Sequence, residues 1–227
     1  VAFYDLLTAA DRSLDGDIEL YASLIPAGGA VLELGSGTGR IAHALADTGR
    51  SVVGLELSRA MLERAEARRR ASPPRGQLRY MLGDMTDLRL RVAFDAVICP
   101  FYALAHLEPG EAWARTFAGV ARHLKPGALA AFHMPSAQKM AETSPPPPDA
   151  PVFKRPDLTL YVAGQKLDAS GRYDIDLDYV TEHGRSRERL TLYPGDPTPF
   201  AENAGFVVDR PPVALGGTGA VYVYRRP

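Results

Sequence analysis

A carboxylate, two hydroxyls and three glycines fall within the stretch Glu33-Leu34-Gly35-Ser36-Gly37-Thr38-Gly39, and Arg40 follows directly. Glycines at alternate positions allow positive φ and leave no Cβ to hold a ligand away from the backbone. The stretch therefore offers N–H groups and a helix start to a polar ligand. Glu56 comes about twenty residues later, the spacing at which a carboxylate accepts hydrogen bonds from both hydroxyls of a ribose. Leu57 beside it and Met61 in the next helical turn stand at the same strand end. His106 has a reference pKa near neutrality and is a candidate general base, the alternative being a histidine that makes structural hydrogen bonds. His133, near another strand end, is a candidate for the substrate wall or for plain packing. No grouping of acids and histidines argues for a catalytic metal.

The elements that must position these groups are legible from periodicity. Val31 to Leu34 is an apolar run broken only by Glu33 and reads as a buried parallel strand, while Arg40 to Ala46 takes up helical spacing. Ser51 to Leu55, Leu78 to Leu82, Phe94 to Cys99 and Ala128 to His133 read as further buried strands. Ser58 caps a helix that runs to Arg70, with Arg68, Arg69 and Arg70 complementing its dipole, and Glu108 to His123 is amphipathic. The alternation predicts an α/β, doubly wound fold with a mostly parallel seven-stranded sheet. Phe206 to Val208 and Ala220 to Tyr224 supply its antiparallel closing pair. Ligands of such sheets lie outside the carboxyl ends of the strands, so Cys99-Pro100-Phe101-Tyr102 should border the reaction centre. The dinucleotide fingerprint G-x-G-x-x-G requires glycine where Arg40 stands, and the phosphate loop fails at the same place.

The 227 residues, 46% of them hydrophobic, suffice for one domain with a sizeable core. With Lys+Arg at 26 and Asp+Glu at 27, the net charge of -1 exerts no overall pull toward nucleic acid or an anionic membrane. The single cysteine, Cys99, excludes an internal disulfide framework, and a reducing cytoplasm is the expected setting. No run reaches transmembrane length and no basic-then-apolar leader opens the sequence.

In order along the chain, Glu33-x-Gly35-x-Gly37-x-Gly39, Glu56, Gly83-Asp84-Met85, Leu124-Lys125-Pro126-Gly127-Ala128-Leu129 and Ala204-Gly205-Phe206 resemble the class I S-adenosylmethionine-dependent methyltransferases. The resemblance implies that Glu33, Gly35, Ser36, Gly37, Thr38, Gly39 and Arg40 hold S-adenosylmethionine together with Glu56, Leu57 and Met61. It implies that Asp84, after Gly83, accepts from the adenine amino group while Met85 packs on the ring. Tyr4-Asp5 resembles the Tyr-Asp of an N-terminal segment, here residues 1–25, that covers the cofactor.

Pro100-Phe101-x-x-Leu104-x-His106-Leu107 is similar to compact bacterial small-molecule methyltransferases. Pro100 and Phe101 are candidates for the cofactor side, Tyr102 for the acceptor wall with His133 near a strand end beside it, and His106 for the catalytic base. Enzymes of the family that act on amino bases carry Asp or Asn where Cys99 stands, and a thiol is a poor acceptor. The implied activity is in-line methyl transfer to N, O or C of a small molecule by a monomer or homodimer, with S-adenosylhomocysteine as product and no nucleic-acid or membrane partner. Two alternatives stay open: an S-adenosylmethionine-binding regulator without transferase activity, and an NAD-type reductase on the same architecture.

After the fifth strand, Thr143 to Pro151 reads as an extended proline-rich connector. Leu158 to Ala163, Arg172 to Val180 and Arg185 to Tyr193 then read as a small antiparallel β-meander. Within this insert, residues 152–194, a turn at His183-Gly184 would set Asp178 opposite Arg189 and leave Ile175, Leu177 and Tyr179 on the other face. The insert is similar to the antiparallel lid of sugar N,N-dimethyltransferases and glycine N-methyltransferase. A lid over the acceptor and a dimer surface are its two readings. If Glu56 serves only the cofactor, Glu56→Ala leaves the melting temperature of the free protein unmoved.

Overall fold

The structure, a computed structural model, describes residues 4, 5, 8, 14–144, 146, 147 and 149–227. Of the expected N-terminal cover, residues 1–25, those before Leu14 lie outside the described residues except for Tyr4, Asp5 and Thr8, as do Pro145 and Pro148 of the proline connector. The parallel sheet is built from β1 (Ala30–Leu34), β2 (Ser51–Glu56), β3 (Leu78–Leu82), β4 (Phe94–Cys99) and β5 (Leu124–Pro135). Helices α1 (Asp17–Leu24), α2 (Arg40–Asp47), α3 (Arg59–Ala71) and α4 (Glu111–His123) cover its faces. After β5 come α5 (Ala137–Glu142), the meander β6 (Phe153–Lys154), β7 (Thr159–Leu167), β8 (Tyr173–Thr181) and β9 (Gly184–Leu192), then α6 (Thr198–Asn203), β10 (Val207–Leu215) and β11 (Gly219–Arg225).

The main sheet has the order β10-β11-β5-β4-β1-β2-β3, with β11 antiparallel to both of its neighbours. The chain reverses direction in the sheet between β1 and β4, which leaves a crevice over their carboxyl ends. Val31, Leu32 and Leu34 are fully buried, as are Val97 and Ile98, because helices cover both faces. The meander forms its own four-stranded sheet in the order β6-β7-β8-β9. It is not independent of the core: Tyr173 and Leu192 sit in the same buried cluster as Phe132, Trp113 and Leu104.

Three local expectations are corrected. β5 begins at Leu124 rather than Ala128, because Lys125-Pro126-Gly127 forms a bulge inside the strand, with Gly127 at φ 77. The hairpin turn is Glu182-His183, with Thr181 opposite Gly184, so Asp178 faces Arg187 and Asp176 faces Arg189. The register is set by Gly184, which opens β9 at φ 129, and by Thr181 Oγ1, which accepts from the His183 N–H at 3.2 Å. Arg68 is not merely a dipole complement, since its guanidinium reaches Asp5 at 3.0 Å.

Candidate active site

A cleft of about 570 Å³ opens over the carboxyl ends of β1, β2, β3 and β4 and is closed on the far side by the meander. Its floor is the glycine turn. Gly35, Gly37 and Gly39 have φ of 67, 54 and 78, values only glycine adopts without strain. At Gly35 a Cβ would stand 2.5 Å from Ala103 Cβ, so glycine there lets the 3-10 turn Ala103–His106 press onto the loop.

Glu56, last in β2, is oriented by two backbone donors. Its Oε2 accepts from Gly37 N–H at 2.9 Å and its Oε1 from Ser58 N–H at 2.8 Å. A carboxylate has about four acceptor positions, so ligand hydroxyls still find partners there. Ser58 also caps α3, accepting from the Met61 N–H, and this presents Leu57, Ser58 and Met61 to the cleft. After β3, Gly83, Asp84 and Met85 line the same wall, and Asp84 is set by accepting from Thr86 N–H at 2.8 Å.

Tyr4 and Asp5 lie over the turn. Tyr4 lines the cleft above Gly37, and burial pushes its phenol up to about 12. Asp5 is anchored by accepting from Thr38 Oγ1, from Arg64 Nε and Nη2 at 3.0 and 2.6 Å, and from Arg68. Burial alone would raise the Asp5 carboxyl, but the Thr38 and Arg64 hydrogen bonds outweigh it and hold the group below its usual range.

The remaining loop residues form a frame behind the wall. Glu33 is buried in β1, and desolvation, only partly countered by Arg40 and the Ala42 N–H, raises its carboxyl to about 8. Ser36 is buried against Gly54, Thr38 is taken up by Asp5, and Gly39 lies beneath the Tyr80 hydroxyl. Arg40 turns away from the cleft to the buried Asp17 of α1, with bonds of 3.0 and 2.5 Å, because a buried carboxylate requires a cation.

Beyond β4, Pro100, Phe101 and Tyr102 line the cleft. Phe101 and Tyr102 occupy left-handed backbone at φ 46 and 62, a conformation that costs about 1–3 kcal/mol each for non-glycine residues and clusters at functional sites. The Tyr102 ring rests 4.4 Å from the His133 imidazole, and its hydroxyl shares a hydrogen bond with Thr218 at 3.3 Å. His133 therefore lies behind Tyr102 and not on the cleft wall. It is buried and donates to Leu215 C=O at 3.2 Å, and desolvation lowers its pKa to about 4. Cys99 is buried and its thiol is pushed up to about 12 by desolvation, which keeps it out of thiolate chemistry.

His106 does reach the cleft. Desolvation lowers its pKa below the free value, partly offset by its hydrogen bond to the Thr191 backbone on β9. The adjacent Tyr193 N–H donates to Ala105 C=O at 2.7 Å, so the meander is bolted to the 3-10 turn at this point. The meander contributes Leu177, Tyr179, Glu188, Arg189, Leu190 and Leu192 to the lining, none of which the sequence singled out as site residues. The alternation Ile175, Leu177, Tyr179 was the available signal, but it names a face without saying what that face covers.

Residues 31–127 match the family model described as a methyltransferase domain. The chain is similar to the CcbJ methyltransferase from Streptomyces caelestis, with a TM-score of 0.79 and 24% identity over 94% of this chain and 90% of that one. The fold is that of the class I S-adenosylmethionine-dependent methyltransferases. Among sequence relatives, the protein YqeM of Bacillus subtilis is 34% identical over 53% of this chain and 48% of its own length. The dTDP-3-amino-3,4,6-trideoxy-alpha-D-glucopyranose N,N-dimethyltransferase of Streptomyces venezuelae is 34% identical over 49% of this chain and 44% of its own length. The chain thus spans about half the length of the sequence relatives it matches. Among the described residues, no group of three or more His, Cys, Asp or Glu is placed to hold a metal ion, and no helix is long and apolar enough to cross a membrane.

Proposed function

We propose that this protein transfers the methyl group of S-adenosylmethionine to a nucleophilic nitrogen of a small-molecule acceptor and releases S-adenosylhomocysteine. The observation that carries the reading is Glu56, whose carboxylate is fixed by Gly37 and Ser58 at the rim of the cleft before any ligand arrives. The residues present fit the cofactor. Gly35 and Gly37 leave the floor of the cleft bare, where a Cβ would stand against Ala103 and the Tyr4 ring, and the wall supplies acceptors at Glu56 and Asp84 beside the thioether of Met85.

Gly35, Gly37, Glu56, Leu57, Met61, Gly83, Asp84, Met85, Pro100 and Phe101 would hold the cofactor, with Tyr4 above it. When bound, the cofactor supplies a sulfonium methyl that is already activated toward displacement. The chain's task is then placement and exclusion of water. Tyr102 and the apolar side chains Leu177, Leu190 and Leu192 wall the space where the acceptor would lie, and His106, neutral at pH 7, is placed to take a proton from an ammonium. Nitrogen is favoured because the Streptomyces venezuelae relative is named for N,N-dimethylation of an amino sugar. The buried, single Cys99 suits a reducing cytoplasm. The test is methyl transfer from labelled S-adenosylmethionine to a panel of amino sugars and simple amines. Labelled product that forms with the protein and not with a Gly37→Val variant supports the reading, and no transfer to any member opposes it.

A further inference from the structure

The meander carries an acid whose role the methyltransferase reading does not supply. On β9 the residues alternate Arg185, Arg187 and Arg189 on one face with Ser186, Glu188 and Leu190 on the other. All three arginines are engaged by the acids of β8 or by Tyr161, and Arg189 also borders the cleft. Arg187 forms a double hydrogen bond with Asp178 at 2.7 and 2.8 Å, Arg189 forms another with Asp176 at 2.7 and 2.9 Å, and Arg185 lies 3.7 Å from Asp178 and over the Tyr161 ring. Glu188 faces the opposite way and lines the cleft.

Among the described residues no cation pairs with Glu188. Its partner is the hydroxyl of Tyr179, a diagonal neighbour on β8, which donates to the carboxylate and whose own ionisation is made harder by burial first and by Glu188 second. Leu177 and Leu190 flank the pair on the inner face. Arg189, the one cation beside it in the lining, is already taken up by Asp176. An accessible carboxylate flanked by apolar side chains, oriented by a phenol and given no ion pair among the described residues, is complementary to a cation. It stands three residues from Thr191, the position that fixes His106, which is about 10 Å along a strand. One nitrogen does not serve both groups, and a nitrogen held as ammonium has no lone pair with which to attack a methyl group.

We propose that Glu188, oriented by Tyr179, is a recognition subsite for a cationic group of the acceptor remote from the methylated atom, so that the substrate class is positively charged small molecules. This rests on the methyltransferase reading for what the acceptor undergoes, but not for the binding itself. The test is calorimetric titration of phenethylamine, 1,4-diaminobutane and glucosamine, each against its N-acetylated counterpart, with and without saturating S-adenosylhomocysteine. Wild type is compared with Glu188→Gln, and with Glu182→Gln in the exposed hairpin turn as control.

At least one amine is expected to bind wild type at least tenfold more tightly than its acetylated form. Glu188→Gln should weaken that binding at least tenfold while S-adenosylhomocysteine affinity stays within twofold, and Glu182→Gln should change neither. Equal amine binding by wild type and Glu188→Gln, absence of amine binding by wild type, or preference for the acetylated forms would overturn the subsite. Amine binding that depends on Glu188 in a protein with no affinity for S-adenosylhomocysteine would uphold the subsite and remove the methyltransferase reading.

Discussion

Glu56 at the end of β2 accepts a 2.9 Å hydrogen bond from the backbone N–H of Gly37, so the acid and the glycine turn are locked together across two strands of the sheet. A second bond from Ser58 N–H at 2.8 Å ties the same carboxylate to the start of α3. Glu56 is therefore structural as well as cleft-facing, and the expectation that Glu56→Ala leaves the free protein untouched does not fit this geometry. Glu56→Ala should lower the unfolding free energy of the free protein by about 1–2 kcal/mol and weaken S-adenosylhomocysteine by about 1.5–3 kcal/mol. Glu56→Gln keeps one acceptor oxygen and should fall between the two. Denaturant melts with calorimetry check both; an unchanged cofactor affinity would leave Glu56 a structural residue only.

Glu33 sets a pH dependence. Desolvation raises its folded pKa from 4.5 to about 8, so between those values the folded chain holds a proton that the unfolded chain has released. Stability from this group is fully present below the unfolded pKa and is lost as pH rises through the folded one, by up to about 1.4 kcal/mol per pH unit. Glu33→Gln removes the titration and should raise the melting temperature more at pH 8 than at pH 5. A gain that is the same at both would show that Glu33 is ionised in the fold.

Asp5 fastens the N-terminal cover through Thr38, Arg64 and Arg68. The pairs are partly exposed, so Asp5→Asn should cost the global fold no more than about 1 kcal/mol. Its expected effect is local: faster amide exchange at Thr8 and severalfold faster release of S-adenosylhomocysteine. Because the Asp5 carboxyl is held below its usual range, the fastening should survive acidification and fail only as pH falls through that lowered pKa. Stopped-flow dissociation with amide exchange reads both effects, and unchanged rates would mean that the cover is held elsewhere.

His106 is lowered by desolvation, so its base form dominates at pH 7. If it takes the acceptor's proton, kcat falls only below about pH 6.5, and His106→Asn lowers kcat about 100-fold and flattens that acidic limb. A variant within twofold of wild type at every pH would confine His106 to its bond with the Thr191 backbone.

The glycine turn and the acid beside it were legible because they are written in backbone constraints. Gly35, Gly37 and Gly39 need positive φ, Ser58 needs to cap a helix, and Glu56 falls at the spacing that the strand and helix lengths dictate. The side-chain directions behind the loop were not legible. Whether Arg40 faces a ligand or the buried Asp17 depends on where α1 packs, which is a long-range fact. His133 likewise reads as a strand-end residue until Tyr102, held at positive φ, is seen to lie between it and the cleft. On the meander, a hairpin register differing by one residue on each strand moved Asp178 from Arg189 to Arg187, and a run of Arg, Ser and Glu concealed that Glu188 lines the cleft.

The central claim is that this cleft is built for S-adenosylmethionine and not for a dinucleotide, and calorimetry on the free protein tests it most directly. The expected result is micromolar binding of S-adenosylhomocysteine, about -8 kcal/mol, with no heat from NADH under the same conditions. Binding of NADH with none of S-adenosylhomocysteine would contradict the account.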